Sequence, residues 1–465
     1  MRSYQYLAGV GANFGIISIG MHYGWSSIAL PNLMNGTETD FTITAGDASW
    51  LASLVSLGSL LGDLITFFTL DVIGRRFLIL GSALPLSLSW LLVAHAQSPA
   101  FLYIGRLLGG LADGIAFSSV PPYLTEISDP EIRGCLGSSY PITLQFGMFL
   151  MNLFELLFSM KLSAYLAFLV GIPTILIMLC VPDSPYFYLL KGKEKAATKS
   201  LQKFTGRQDV TKDLERITEG LQEEGGAHLN FSKALFTPLA LRTLLISAGL
   251  IIVQQANGSL AVICYTSSVF EESKDFLDPE ISNLIFYGVF AIFAFISVFF
   301  VDTCGRKVLI LLSLGTSTVM LFVTGTYIYI KTETSIDVEG MGYIQLISVL
   351  LYAVSESIGL IFIPLLVVSE ILPINVKAVG MLLTNVSFSF SATGIIKFFS
   401  WSSNAYGMYV PFFTFTLCSI LGIIFVIYLV PETKGKTLEE IHRTMIKSHH
   451  QKEKSDTILT NGRST

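Results

Sequence analysis

Asp71-Val72-Ile73-Gly74-Arg75-Arg76 closes one long apolar run, and Asp302-Thr303-Cys304-Gly305-Arg306-Lys307 closes another. The two copies start 231 residues apart (302 − 71), about half the chain. Each sets an acid, a glycine and a basic pair between two hydrophobic stretches. That pattern reads as a short polar hairpin between membrane helices. Its recurrence predicts two homologous halves, each a bundle of membrane spans.

Composition agrees. The 465 residues are 52% hydrophobic and only 14% charged, with mean hydropathy +0.64. A soluble domain carries roughly 25% charged residues. The apolar runs have the length, about 17–25 residues, that crosses a bilayer as a helix. Twelve spans are predicted: 7–29, 48–70, 77–95, 101–124, 135–158, 164–181, 241–269, 281–301, 308–330, 343–368, 378–400 and 408–430. The fold class is an all-α membrane protein of two six-helix bundles, 1–181 and 241–430. Between them lies a cytoplasmic helical linker, 182–240, and a cytoplasmic tail follows at 431–465. In the linker Leu201 and Phe204, then Leu214, Ile217 and Leu221, recur at helical spacing among Lys and Glu. The tail, with His449-His450, is polar and predicts disorder. The run Leu7–Leu30 is too long for a signal-peptide core and is predicted to be the first span.

Basic residues set the expected orientation. Of 29 Lys and Arg, only Lys161, Lys274, Lys331 and Lys397 fall to one side, and Arg106 lies within a span. Positive-inside places both termini and the linker in the cytoplasm, in a multi-pass plasma-membrane protein. Asn35-Gly36-Thr37 then offers a glycosylation site in the first outer loop. The five cysteines show no CxxC spacing, so free thiols are expected and no metal site.

The repeat extends beyond the hairpins. Glu126 precedes Arg133 by seven residues, and Glu370 precedes Lys377 by seven. Asp183 follows the sixth span and Glu432 the twelfth. One such loop reads as surface charge worth about 0–1 kcal/mol per pair. Three matched loops read as a cytoplasmic gate formed by Asp71, Arg75, Arg76, Glu126, Arg133, Asp183, Asp302, Arg306, Glu370, Lys377 and Glu432. Such charges are expected to pair across the two bundles when that mouth closes and to part when it opens.

These residues carry a family resemblance. Gly105-Arg106, Pro121-Pro122-Tyr123, Glu126-Ile127, Pro182-Asp183-Ser184-Pro185, Gln254-Gln255, Glu370-Ile371-Leu372-Pro373 and Pro431-Glu432-Thr433-Lys434-Gly435 join the two hairpin motifs. The chain resembles the sugar porter family of the major facilitator superfamily. Within it, the run Gly20-Met21-His22-Tyr23-Gly24-Trp25 resembles the facilitated trehalose transporter-like branch. The resemblance implies alternating-access carriage of a hexose or disaccharide by facilitated diffusion, by a functional monomer without a cofactor. It also implies that Gln254 and Gln255 bind sugar hydroxyls, with Tyr265 as an outer donor. An amide supplies both donor and acceptor to a diol. The other reading of the two glutamines is interhelical contact. Other sugar-facing positions depart from the pattern: Pro141, Leu260, Phe290, Leu365 and Phe388-Ser389 stand where the family carries polar or tryptophan side chains. The departures suit a less polar or larger solute.

Buried ionisable residues open a second reading. His22 stands where proton-coupled sugar symporters carry an aspartate, and Asp63 and Asp113 also lie within spans. Each is either a coupling group of a sugar or polyol symporter or a hydrogen-bonded structural residue. Glu155 and Arg106, in the outer halves of neighbouring spans, are expected to pair. A third reading is a sensor that keeps the fold without transporting. No phosphate loop, zinc spacing or nucleic-acid module occurs, so the chain reads as neither an enzyme nor a nucleic-acid binder. Its partners are a small sugar or polyol and the lipid bilayer.

Overall fold

The computed structural model describes residues 3–137, 139–227, 237–338, 340–373, 376–436 and 440. Every regular element among them is helical. The first half runs α1 (Ser3–Asn35), α2 (Ala45–Ile73), α3 (Arg75–Ala94), α4 (Pro99–Ile127), a short α5 (Pro130–Gly137), α6 (Ser139–Leu157) and α7 (Met160–Cys180). The connecting helices are α8 (Pro185–Leu190), α9 (Glu194–Thr205) and α10 (Thr211–Ala227). The second half runs α11 (Pro238–Ala256), α12 (Ser259–Glu271), α13 (Pro279–Cys304), α14 (Arg306–Glu333), α15 (Gly342–Ser355), a π-turn at Glu356–Leu360, α16 (Ile363–Ile371), α17 (Lys377–Tyr406) and α18 (Tyr409–Leu429).

Ten of these segments are long and apolar enough to cross a membrane by length and composition. Helices α1 and α6 complete the twelve. Their glycines and buried polar residues, among them His22, Gln145 and Asn152, dilute their hydropathy without shortening them. Two predicted continuous spans are broken. The seventh divides into α11 and α12, and the tenth into α15 and α16. The fifth begins later than predicted, because α5 is a separate helix.

The repeated hairpin is a glycine turn in both halves. Gly74 has φ +104° and Gly305 has φ +94°. An L-residue there would cost on the order of 1–2 kcal/mol. The sharp reversal starts α3 and α14 directly after α2 and α13 end. Small residues then let neighbours close up: a Cβ on Gly114 of α4 would lie 2.0 Å from the Ser59 carbonyl oxygen of α2.

The connecting helices dock under the first half. Phe204 of α9 is fully buried and meets Tyr123 edge-on at 6.5 Å, and Gln5 Nε2 donates to the Phe204 carbonyl at 3.2 Å. The helical spacing of Leu201 and Phe204 thus marks a docked face. The two halves meet where α1 touches α12, α6 touches α13, and α2 touches α17.

Candidate functional site

Helix α11 ends on Gln254-Gln255-Ala256, and the chain re-enters a helix through Gly258 at φ +89°. The break leaves Asn257 fully buried as a hub. Its Nδ2 donates to Glu356 Oε1, its Oδ1 accepts from Ser317 Oγ (3.1 Å) and Ser419 Oγ, and its carbonyl accepts from Tyr352 OH (3.3 Å). Both lone pairs of Oδ1, one amide N–H and the backbone carbonyl are thereby spent on tying the break after α11 to α14, α15, α18 and the π-turn. The glutamines divide. Gln254 Nε2 donates to the Ile361 carbonyl just after the π-turn (3.2 Å). Gln255 is 2% exposed, and its Oε1 has no partner among the described residues. Tyr265 sits at a kink in α12 (φ −117°, ψ 19°) and stacks on Phe399 at 5.0 Å.

In the first half the buried polar groups form two clusters. His22 stacks on Trp90 at 3.8 Å, and its Nε2 pairs with Ser89 Oγ at 2.8 Å. Arg106 donates to the carbonyl of His22, to Ser26 Oγ, to the Leu51 carbonyl (3.1 Å) and toward His22 Nδ1 (3.5 Å). A guanidinium only donates, so the tautomer that suits this contact carries its proton on Nε2. Glu155 and Arg106 interact by charge without a hydrogen bond between them. The fork of Arg106 is filled by α1 and α2, and neither carboxylate oxygen of Glu155 has a hydrogen-bond partner among the described residues. The second cluster holds the aspartates. Asp113 accepts from Tyr23 OH (2.7 Å) and Tyr140 OH (3.3 Å). Asp63 accepts from Ser118 Oγ (2.6 Å) and, across the two halves, from Asn385 Nδ2 of α17 (3.0 Å).

Further bonds cross the halves toward the end of the bundle where α1 finishes and α2 begins. Ser27 Oγ donates to Asn283 Oδ1 (2.8 Å), Asn283 Nδ2 to Asn152 Oδ1 (2.6 Å), and the Ser267 amide to Ser27 Oγ (3.3 Å). Lys397 lies 3.5 Å over the Trp50 ring. Motif reading missed this seam. Its signal was present as asparagines and serines in otherwise apolar spans, residues that membrane helices use for interhelical bonds.

At the opposite end the motif residues form two equivalent constellations. Arg75 Nε donates to Glu126 Oε1 (3.0 Å) and its Nη1 pairs with Asp71 (2.8 Å). Arg306 Nη2 pairs with Glu370 Oε1 (3.3 Å). The Arg76 amide donates to Asp183 Oδ1 (3.2 Å), as the Arg306 and Lys307 amides donate to the two oxygens of Glu432 (3.1 Å each). Asp183 and Glu432 thus accept the open N–H groups at the starts of α3 and α14, where an anion is favoured. Burial pushes the Asp183 carboxyl above the usual range; the amides of Ser184 and Arg76 and the charges of Arg75 and Arg76 oppose this. Pairing across the bundles is expected only when this mouth closes; in this structure each arginine–glutamate pair closes inside its own half. The glycine turn swings the first residue of α3 or α14 beneath the end of α4 or α16 of the same bundle. Arg76 Nε meanwhile ties α3 to the Met178 carbonyl (2.6 Å). Lys377 is exposed at the start of α17. The side chains of Arg133 and Asp302, and His449-His450 in the tail, lie outside the described residues. Asn35 is exposed at the end of α1, and the four described cysteines are free.

A family model described as "Sugar (and other) transporter" matches residues 14–445. The chain belongs to this family. It is 32% identical over 445 residues to a facilitated trehalose transporter Tret1 of Drosophila willistoni, covering 95% of this chain and 51% of that protein. It therefore spans about half the length of that relative. The same identity over 445 residues links it to Tret1 of Polypedilum vanderplanki, with 88% of that protein covered. Among solved structures, the proton:xylose symporter XylE bound to 6-bromo-6-deoxy-D-glucose matches with TM-score 0.75 at 21% identity, over 95% of this chain and 99% of the other. The inward-open form of XylE from E. coli matches at 0.74 and 20%, over 95% and 99%. These likenesses establish the twelve-helix major facilitator fold of a multi-pass membrane protein.

Proposed function

We propose that this protein carries a sugar or polyol across the plasma membrane by alternating access and facilitated diffusion, with both termini and the 182–240 linker cytoplasmic. One observation carries the reading. The halves are bridged by Ser27, Asn152, Asn283 and Ser267 at one end and by Asp63–Asn385 further along the seam, while the charged motif pairs at the far mouth close within each half. That asymmetry suits a carrier with its outer side shut. Glu126, Arg133, Glu370 and Lys377 are then the groups that pair across the mouth when the inner side shuts. The family membership and the facilitated trehalose relatives support a sugar as the solute.

The neighbours of His22 favour a structural role for it, since a proton on Nδ1 would face the Arg106 guanidinium. The proton-coupled reading falls instead to Asp63, whose bond to Asn385 joins the two halves. Uptake of hexoses, disaccharides and polyols by proteoliposomes, with and without an imposed pH gradient, tests all three readings. Saturable uptake that equilibrates regardless of the gradient is expected. Gradient-driven accumulation supports the symporter, and binding without flux supports the sensor.

A further inference from the structure

Gln145 stands apart among the buried amides of the first half. It is 2% exposed, and its Oε1 has no partner among the described residues. A buried amide oxygen left unpaired costs free energy, so such a group is retained where something else satisfies it. The faces of α6 show where it points. Leu144 and Gly147 pack on α1, where a Cβ on Gly20 would lie 2.1 Å from the Leu144 carbonyl oxygen. Phe149 and Asn152 pack on α13, against Gly288 and Asn283. Positions four and seven after Gln145 share its helix face. Gln145 therefore belongs to the stripe that looks toward the second half. It lies two turns in from the Asn152–Asn283 bridge and one turn out from Tyr140, which binds the carboxylate of Asp113. The antiparallel register that sets Asn152 beside Asn283 and Phe149 beside Gly288 brings Phe290 level with Gln145. Phe290 is fully buried and stacked on Phe286 at 5.6 Å, so α13 offers no polar side chain there. One turn along α6, Pro141 also lacks a polar side chain.

We propose that Gln145 is a specificity-determining residue of the solute site. Its carboxamide gives the first half a hydroxyl-binding group, as Gln255, whose Oε1 is likewise buried and unpaired, gives one to the second. The solute is then a polyhydroxy compound held between an amide of each half. This rests on the carrier reading above, and its test separates the two.

The experiment measures uptake by purified protein in proteoliposomes, as wild type, Gln145→Leu and Gln145→Glu. The competitors are the transported sugar and its set of monodeoxy analogues. Gln145→Leu should raise the half-saturation concentration of the parent sugar roughly three- to tenfold, the loss of one hydrogen bond. Maximal rate and melting temperature should stay near those of wild type. One deoxy analogue, lacking the contacted hydroxyl, should compete equally well against both proteins. Gln145→Glu, which keeps an acceptor of the same length, should recover part of the affinity. An equal loss for every analogue, or no change for any, overturns the role of Gln145 and leaves the carrier reading standing. If Gln145→Leu fails to fold, a Gln145→Glu protein with unaltered selectivity among the analogues overturns it equally. Wild-type protein with no saturable sugar uptake overturns both.

Discussion

Adjacent glutamines with the same chemistry have different surroundings. Gln254 gives one amide N–H to the Ile361 carbonyl, while Gln255 keeps a buried acceptor unpaired. Gln255→Ala should therefore raise the half-saturation concentration about fivefold, for one contact of about 1 kcal/mol. Gln254→Ala should chiefly lower the melting temperature. Uptake kinetics and thermal melting on the same preparations decide this, and a reversed assignment would show the opposite split. Asp183 gives a signed pH prediction. Its carboxyl is raised by burial, so its stabilising contribution is full below the ordinary carboxylate pKa of about 3.9 and is lost as pH rises through the raised value. Wild type should gain melting temperature relative to Asp183→Asn as pH falls from 7 toward 4. A wild type that loses ground to the variant on acidification would refute the sign.

At the scale of elements, what matters is where helices stop. The break between α11 and α12 needs Gly258, whose φ of +89° an L-residue rarely adopts. A Cβ there would also lie 2.3 Å from Phe415 Cδ2 of α18. Gly258→Ala should cost more than the backbone term of roughly 1–2 kcal/mol, because the buried phenyl ring must also shift. The measurable outcome is a melting temperature several degrees lower, together with impaired uptake. A fully active variant of unchanged stability would mean that the break is dispensable. The π-turn at Glu356–Leu360 complements it, since it exposes the Ile361 carbonyl to Gln254 and brings Glu356 to Asn257.

At the scale of the whole molecule, the two ends of the seam oppose each other. In the proposed orientation, removing the Asn152–Asn283 bridge with Asn152→Leu and Asn283→Leu should favour the state open to the outside. Glu370→Gln, which weakens the inner charge set, should favour the state open to the cytoplasm. In a cysteine-free background, a cysteine at Ser49 should be labelled faster by an impermeant reagent in the first variant and more slowly in the second. Equal rates in all three proteins would show that neither set biases the equilibrium. Labelling also tests the orientation. A cysteine within 36–42 should react on intact cells, and one within 194–205 should not.

Much of this molecule was legible in the order of its residues. Hydropathy and length marked the spans, and the duplicated Asp-x-x-Gly-Arg-(Arg/Lys) turn marked the two halves. Both depend on local rules: a helix must satisfy its own backbone in lipid, and a reversal with positive φ needs glycine. The spacing of Leu201 and Phe204 likewise announced a buried face on α9. Only the tertiary structure decided which partners the charges take. Pairing depends on which helix ends lie side by side, so Arg75 meets Glu126 and Arg306 meets Glu370 inside their own halves. It also decided that the hydrogen bonds of Arg106 go to α1 and α2 and not to Glu155. The Ser27–Asn283–Asn152 seam and the unpaired amides of Gln145 and Gln255 were equally beyond the sequence. A serine or an amide inside an apolar span carries the same letters whether it is spent on a neighbour or left facing a solute; only the register of packed helices tells the two apart.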